Sequence, residues 1–441
     1  MHDIGRTKVW CRLSEIEKGQ LLSRPQQDLL EQQVATVSEI LAKVKYSGDE
    51  ALRDYTLRYD RVDLPDAIVS VAELDKMAAK VDPAVAKAID FAFERIHKFH
   101  REQVIPDMSF CPSDGVALQR LSRPIEKVGI YVPGGTAPLP STVLMAAIPA
   151  AIAGCNDRVL VSPPSQQGLL APEIYYAAKK CGIDSIVKVG GAQAIASLAY
   201  GTKTVPKVYK IFGPGNSWVT IAKQLVAKDP EGAAIDMPAG PSEVLVICDE
   251  TARADFVAWD LLSQAEHGID SQVVLVSTSA AKIQDVRAAI SDILPKIERS
   301  DIAARSLAHA RFIEAESLKE AMDISNSYAP EHLIIQTDNP DALVPGVSNA
   351  GSVFLGSYTP ESVGDYASGT NHILPTGGWA RSYSGLSVDS FLKKITVQKL
   401  GKVGLLEIGP HVEKLATAEG LSAHKGAVTV RLEAIRERDK G

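Results

Sequence analysis

The chain has no excess of positive charge, no paired-cysteine motif and no apolar run long enough to cross a bilayer. Each absence removes a class of protein. Its 47 Lys and Arg residues are outnumbered by 54 Asp and Glu, for a net charge of −7. Binding nucleic acid needs a basic field, so nucleic acid is excluded as the main partner. The five cysteines (Cys11, Cys111, Cys155, Cys181, Cys248) are odd in number, far apart and never spaced Cys-x-x-Cys. Neither a disulfide framework nor a thiolate zinc site is indicated, which predicts a reduced, cytoplasmic protein whose metal, if any, has nitrogen and oxygen ligands. The most apolar stretch, 143–155, is too short for a membrane span and is interrupted by Pro149. The start, Met-His-Asp-Ile-Gly-Arg-Thr-Lys, has no apolar segment of a secretory signal.

What is present is ordinary for a soluble globular chain: 45% hydrophobic and 23% charged residues. At 441 residues, two or three domains are expected, and a small-molecule enzyme is the leading class. The first hundred residues carry helical spacing over 27–45, 49–58, 71–80 and 83–102, followed by a stretch, 106–123, broken by Pro106, Pro112 and Gly115. From Val128 the texture changes to β-branched runs alternating with helical patterns. Strands are expected at 158–162, 186–189 and 208–212, with helices at 171–181, 192–200 and 216–227 between and after them. The rhythm recurs after Gly240, with strands at 243–248, 272–277, 312–314, 332–336 and 352–355 and helices at 252–267 and 280–296. Such alternation predicts two α/β domains with open parallel sheets, divided near Gly240. The segment 357–387, rich in Gly, Ser, Thr and Tyr, is too long for an idle connector, and from Ser390 only short helical patterns of mixed charge remain.

Three glycine turns follow expected strands: Val132-Pro-Gly-Gly135, Val189-Gly-Gly-Ala-Gln193 and Phe212-Gly-Pro-Gly-Asn216. Each stands where a strand passes into a helix, the edge at which open sheets bind ligands, and glycine there lets backbone amides approach a phosphate. None is a complete dinucleotide fingerprint, and a tight turn accounts for each glycine singly.

The candidates for metal binding and proton transfer are scattered. No His-Glu-x-x-His motif exists, and Gly240-Pro-Ser242-Glu-Val244 breaks the nucleophile-elbow pattern at its last position. On the helix expected over 252–267, Asp260, Gln264 and His267 share one face, as ligands on adjacent turns or simply as the wet side of an amphipathic helix. His97 and His100 have similar spacing but sit among charges, which predicts a solvated surface. Glu331-His332 enters an apolar strand as a general-base pair or as a strand-end hydrogen bond. The loop Glu361-Ser-Val-Gly-Asp365 to His372 adds a carboxylate and an imidazole, and Glu419-Gly-Leu-Ser-Ala-His424 adds another pair. The residues by themselves reach an α/β enzyme, with nucleotide and metal both open.

Taken together, these tracts resemble the histidinol dehydrogenase family. The matching stretches are Tyr131-Val-Pro-Gly-Gly-Thr-Ala-Pro, Val189 to Gln193, Phe212 to Asn216, Asp236-Met-Pro-Ala-Gly-Pro-Ser242-Glu, Ser263-Gln264-Ala-Glu-His267, Pro330-Glu331-His332-Leu, Gly364-Asp365 to His372, and Glu419 to His424. The resemblance implies oxidation of L-histidinol through L-histidinal to L-histidine with two NAD. It implies zinc on Gln264, His267, Asp365 and His424, with His332 as general base and Glu331 as the residue that activates water. Substrate contacts would include Ser242, Gln264, His267, His332, Asp365, Glu419 and His424, while Tyr131, Gln193 and Asn216 would contact NAD. It further implies an intertwined homodimer in which the tail reaches the partner's site.

The organisation then expected is two incomplete Rossmann-like domains and a small appendage. Residues 27–130 with 243–386 form the zinc and catalytic domain, 131–242 the NAD domain, and 387–441 the tail domain, joined by an N-terminal arm over 1–26. An NAD-dependent dehydrogenase of another amino alcohol or polar alcohol fits the same motifs, and a zinc hydrolase without nucleotide or a non-catalytic binding module are the more distant alternatives.

Overall fold

The β-branched runs form strands at or within a residue or two of the expected places in the computed structural model, which describes residues 5–24, 30–134, 138–183, 185–238 and 240–438. The chain divides into two units. The larger comprises the residues up to Gln103 together with Ile125–Phe391, and the smaller comprises Val104–Pro124 with the residues from Leu392 onward.

The larger unit contains two parallel sheets. In the six-stranded sheet the spatial order is Thr7–Val9, Arg311–Glu314, Gln272–Ser277, Glu243–Cys248, His332–Gln336, Ser352–Leu355. Every residue of Glu243–Cys248 and Gln272–Ser277 is buried, as expected for strands covered by helices on both faces. One face packs on helices Ala254–Ala265, Ala280–Ile293 and Ser300–Leu307, the other on Leu318–Tyr328. In the five-stranded sheet the order is Ser185–Lys188, Asp157–Ser162, Lys127–Tyr131, Lys210–Phe212, Ala234–Ile235.

Three expectations are corrected here. The N-terminal arm does not join the tail: Thr7–Val9 pairs in parallel with Arg311–Glu314, because the edge of that strand still offers unpaired backbone groups. The helices Leu30–Ser47, Asp49–Tyr55, Val71–Ala78 and Pro83–Arg101 pack their apolar faces against the five-stranded sheet, not the six-stranded one with which 27–130 was grouped. Both sheets and these helices form one unit. In the smaller unit, the broken stretch 106–123 and the start of the tail are extended. Leu392–Leu400 pairs antiparallel with Val116–Pro124, which pairs with Met108–Phe110. Largely exposed strands lack the apolar run that marks a buried one, so their texture did not announce them. Helices Lys402–Ala418 and Ser422–Arg438 follow and pack on each other, with Leu432 against Gly409.

Candidate active site

Each sheet of the larger unit reverses its winding once, which leaves a crevice between two strands. In the five-stranded sheet the reversal falls between Lys127–Tyr131 and Lys210–Phe212. A cavity of about 720 Å³ opens at the carboxyl ends of the strands, lined among others by Tyr131, Gln193 and Asn216. Residues 135–137 of the first glycine turn and Ala239 lie outside the described residues.

The sequence builds this cavity locally. Asn216 caps helix Ser217–Lys228, its side chain accepting from the Val219 amide at 3.2 Å. Gly213 has φ +115°, and a Cβ there would stand 2.1 Å from the Tyr131 carbonyl oxygen, so only glycine lets the two strand ends close. A buried ion pair fixes the turn. Lys223 Nζ donates to the Gly213 carbonyl at 2.7 Å and to Asp236 Oδ1 at 2.5 Å, while Asp236 Oδ2 accepts from the Gly213 amide at 2.9 Å. The Tyr131 hydroxyl accepts from the Gly191 amide at 3.2 Å, and burial pushes its proton affinity up to about 12.

In the six-stranded sheet the reversal falls between Glu243–Cys248 and His332–Gln336, and the titratable side chains gather at the amino ends of those strands. Helix Leu318–Tyr328 ends in Ala329, a buried non-glycine residue in the left-handed region at φ 55°, followed by Pro330. That strained corner turns the chain abruptly, and Glu331 and His332 enter the strand side by side, both buried. His332 Nδ1 lies 3.2 Å from the Glu243 carbonyl oxygen, which accepts its proton. Its Nε2 points at Asp365 Oδ1, 3.5 Å away, and makes no hydrogen bond among the described residues.

Asp365 and Glu361 project from the short helix Glu361–Tyr366, one turn apart. Gly364 lets this helix close on the Phe354 ring, where a Cβ would come within 2.6 Å. The loop beyond is pinned to the other sheet's helices. His372 Nδ1 donates to the Asp365 carbonyl at 2.9 Å, and the Asn371 amide donates to the Met145 carbonyl at 2.7 Å and to His100 Nε2 at 3.2 Å. His100 is therefore no surface residue. It lies fully buried on the apolar face with Ile89, Ala92 and Ile96, its Nδ1 donating to the Ile96 carbonyl at 2.8 Å.

Gln264 and His267 complete the cluster from the end of helix Ala254–Ala265. Their helix face is not a wet one: Gln264 and Asp260 are buried, and Asp260 accepts from Gln336 at 2.6 Å. Burial raises Asp260 to about 7. The Gln264 amide donates to Glu361 Oε1 at 2.8 Å in the orientation its neighbours require. His267 is exposed, and ligand atoms of His267, Glu361 and Asp365 all lie within 4.8 Å of one another. One imidazole nitrogen and two carboxylate oxygens so placed suit zinc or another divalent cation.

The electrostatics follow from crowding carboxylates in a dry place. Burial drives Glu331 up to about 8, against the opposing pull of His332 and the Glu243 amide, and drives Glu361 well above its ordinary range. Burial works against a charge on His332, but Glu361, Glu331 and Asp365 outweigh it and lift the imidazole to about 10. Burial also opposes the Asp365 charge, yet the adjacent His332 imidazole wins and holds it low.

Ser242, half-buried, precedes the strand Glu243–Cys248. Glu243 itself is held by a two-pronged Arg24 at 2.8 and 2.9 Å and by the Gly377 amide at 2.9 Å. Glu419 and His424 belong to the smaller unit, at and just after the end of helix Lys402–Ala418, and both are exposed. Glu361 had been assigned no role in the sequence, although its spacing of four from Asp365 on one helix is a signal that could have found it.

A model of the histidinol dehydrogenase family matches residues 22–432. The chain belongs to the histidinol dehydrogenase family. The histidinol dehydrogenase of Vibrio cholerae is 52% identical over 432 residues, covering 98% of this chain and 99% of that one. A rice relative, named a chloroplastic histidinol dehydrogenase, is 50% identical over 424 residues, 96% of this chain and 89% of its own. The crystal structure of the Elizabethkingia anophelis histidinol dehydrogenase superposes with a TM-score of 0.95 at 46% identity, covering 99% of this chain and 100% of that chain. Among the described residues, no helix is long and apolar enough to cross a membrane.

Proposed function

We propose that the protein oxidises L-histidinol through L-histidinal to L-histidine, reducing two NAD per substrate, with zinc as its resident metal. The observation that carries this is one cluster in which His332 Nε2, without a hydrogen-bond partner among the described residues, faces Asp365 beside His267 and Glu361. Zinc, held by Gln264, His267 and Asp365, would anchor the amine and imidazole of the substrate. Bound NAD supplies the hydride acceptor of both oxidations, with Tyr131, Gln193 and Asn216 as its contacts.

His332 is the base of the first oxidation. Because its Nδ1 proton is committed to the Glu243 carbonyl, the lone pair resides on Nε2, which takes the proton of the alcohol. A cation held by Gln264, His267 and Asp365 would oppose the upward shift of this imidazole, since it would place a positive charge beside Asp365 and Glu361. Glu331, oriented by the Glu243 amide at 2.8 Å, takes a proton from the water that hydrates the aldehyde, while His332 returns the alcohol's proton to the carbonyl oxygen and regains its Nε2 lone pair. The hydrate then gives its hydroxyl proton to His332 as the second hydride departs. Ser242, Gln264, His267 and Asp365 orient the substrate.

Glu419 and His424 are assigned to the same centre from across an intertwined homodimer, His424 as the remaining zinc ligand and Glu419 as a substrate contact. Their exposure on the smaller unit leaves both free to serve a second copy. The five unpaired cysteines suit a reducing, cytoplasmic setting.

The deciding measurement is NADH formed per histidinol consumed, before and after chelation. Two NADH, falling to none with chelator and recovering with added zinc, is the expected result; one NADH, or turnover that ignores the chelator, refutes the scheme. Mixing His332→Asn with His424→Ala subunits should restore turnover that neither variant has. Mixed dimers that stay inactive would remove the tail from the partner's centre.

A further inference from the structure

The cavity of the five-stranded sheet is lined in part by a carboxylate, Asp60, that no motif singled out. Helix Asp49–Tyr55 does not stop cleanly; it widens into a π-helical turn, Thr56–Asp60, and then Arg61 adopts the left-handed region at φ 59°. Irregular turns of this kind recur at functional sites, because they spend helix regularity on aiming a side chain. Here the side chain delivered is Asp60, which lines the cavity together with Tyr59, Tyr131, Gln193, Asn216 and Trp218.

Asp60 Oδ2 is buried and has no hydrogen-bond partner among the described residues. Burial alone lifts its carboxyl to about 6, so near neutral pH it is still mainly ionised. No Lys, Arg or His is among the described residues lining the cavity, and the neighbouring Arg61 is exposed and not part of the wall. An unpaired buried acceptor is costly unless a ligand supplies donors. A ribose cis-diol offers two O–H donors side by side, whereas a 2′-phosphate removes one donor and brings negative charge into a wall with no cation.

We propose that Asp60 selects NAD over NADP: its carboxylate accepts hydrogen bonds from the adenosine ribose diol and repels a phosphate at the 2′ position. This rests on the assignment of the cavity to the nucleotide under Proposed function. The pyrophosphate is served separately, by the amides at the start of the helices Gly191–Tyr200 and Ser217–Lys228.

The test uses the full-length, zinc-loaded protein and the variants Asp60→Asn and Asp60→Ala. In steady state with histidinol, the parent should favour NAD over NADP by roughly 100-fold or more in kcat/KM, and the variants should lose roughly 10- to 100-fold of that ratio through KM, with kcat nearly unchanged. Calorimetry with ADP-ribose and with its 2′-phosphate gives the same comparison without turnover. A parent that uses NADP as well as NAD, or variants whose ratio stays within about twofold of the parent, overturns the proposal. Should neither variant fold, 2′-deoxy-NAD on the parent replaces them: about a tenfold higher KM is expected, and an unchanged KM overturns the assignment. A parent that makes no NADH from histidinol yet binds ADP-ribose far more tightly than its 2′-phosphate separates the two claims, sinking the proposed reaction while sparing Asp60.

Discussion

The two parallel sheets of the larger unit reverse their winding in the same manner and use opposite edges. In the five-stranded sheet the cavity lies at the carboxyl ends, where helix N-termini begin at Gly191 and Ser217. In the six-stranded sheet the titratable cluster lies at the amino ends, where helices Ala254–Ala265 and Leu318–Tyr328 finish. Helix N-termini present amide donors and partial positive charge, helix C-termini present carbonyls and partial negative charge. One edge thus suits an anionic group, the other a cation. Asp365, Glu361 and Glu331 deepen that bias, whereas Asp60 is the single carboxylate among the described residues lining the cavity. The same topology supports two chemistries because the ends of its helices differ in sign.

This contrast can be broken at either edge. The largest effect should come from His332→Asn, which removes the Nε2 base: the first oxidation should fall by about 10³-fold with nucleotide affinity unchanged by calorimetry. A comparable loss of NAD binding would mean the two edges do not act separately. Next, Glu331→Gln should cut oxidation of supplied L-histidinal by about 10²-fold while sparing the alcohol step. Equal losses in both half-reactions would merge the two roles.

At the other edge, Lys223→Met leaves Asp236 buried and unpaired, so it should lower stability by about 3 kcal/mol and raise the KM for NAD, as read by denaturant titration and steady-state kinetics. Zinc content should not change. A loss of metal would show that the turn at Gly213 supports the far cluster as well.

The smallest expected effect is on pH dependence. Glu331 is raised to about 8, so between the unfolded carboxyl range near 4.3 and pH 8 the folded chain keeps a proton that the unfolded chain has lost. Its contribution to stability is whole in acid and fades as pH rises through about 8. Glu331→Gln, which imitates the protonated form, should melt with the parent near pH 5 and above it at pH 9. Oxidation of the aldehyde, needing the ionised form, should rise through the same range in the parent. A melting difference that does not vary with pH would place the raised affinity elsewhere.

Much of the scaffold could be read from residues alone. Glu243–Cys248, Gln272–Ser277, His332–Gln336 and Ser352–Leu355 fall where the β-branched runs stand, since buried parallel strands need continuous apolar sequence. Gln264, His267, Glu331, His332 and Asp365 were all visible as polar residues in apolar or glycine-rich settings. Their meeting was not, because they are brought together by a helix end, a strand start and a loop that are remote in the chain. His100 misled for a related reason. Its charged neighbours are on the outer faces of its helix, while its own face points into the core. Asp60 carried no local signal at all, since a π-turn depends on what the helix packs against.

The sequence by itself determined the two parallel sheets, the glycine turns and the inventory of imidazoles, carboxylates and amides, because hydrophobic periodicity and turn chemistry act over a few residues. Only the tertiary structure decided which sheet the first four long helices would cover, which edge of each sheet would carry chemistry, and which carboxylates would share one dry pocket. Those outcomes depend on burial and on charges meeting across hundreds of residues, and neither exists until the chain has folded.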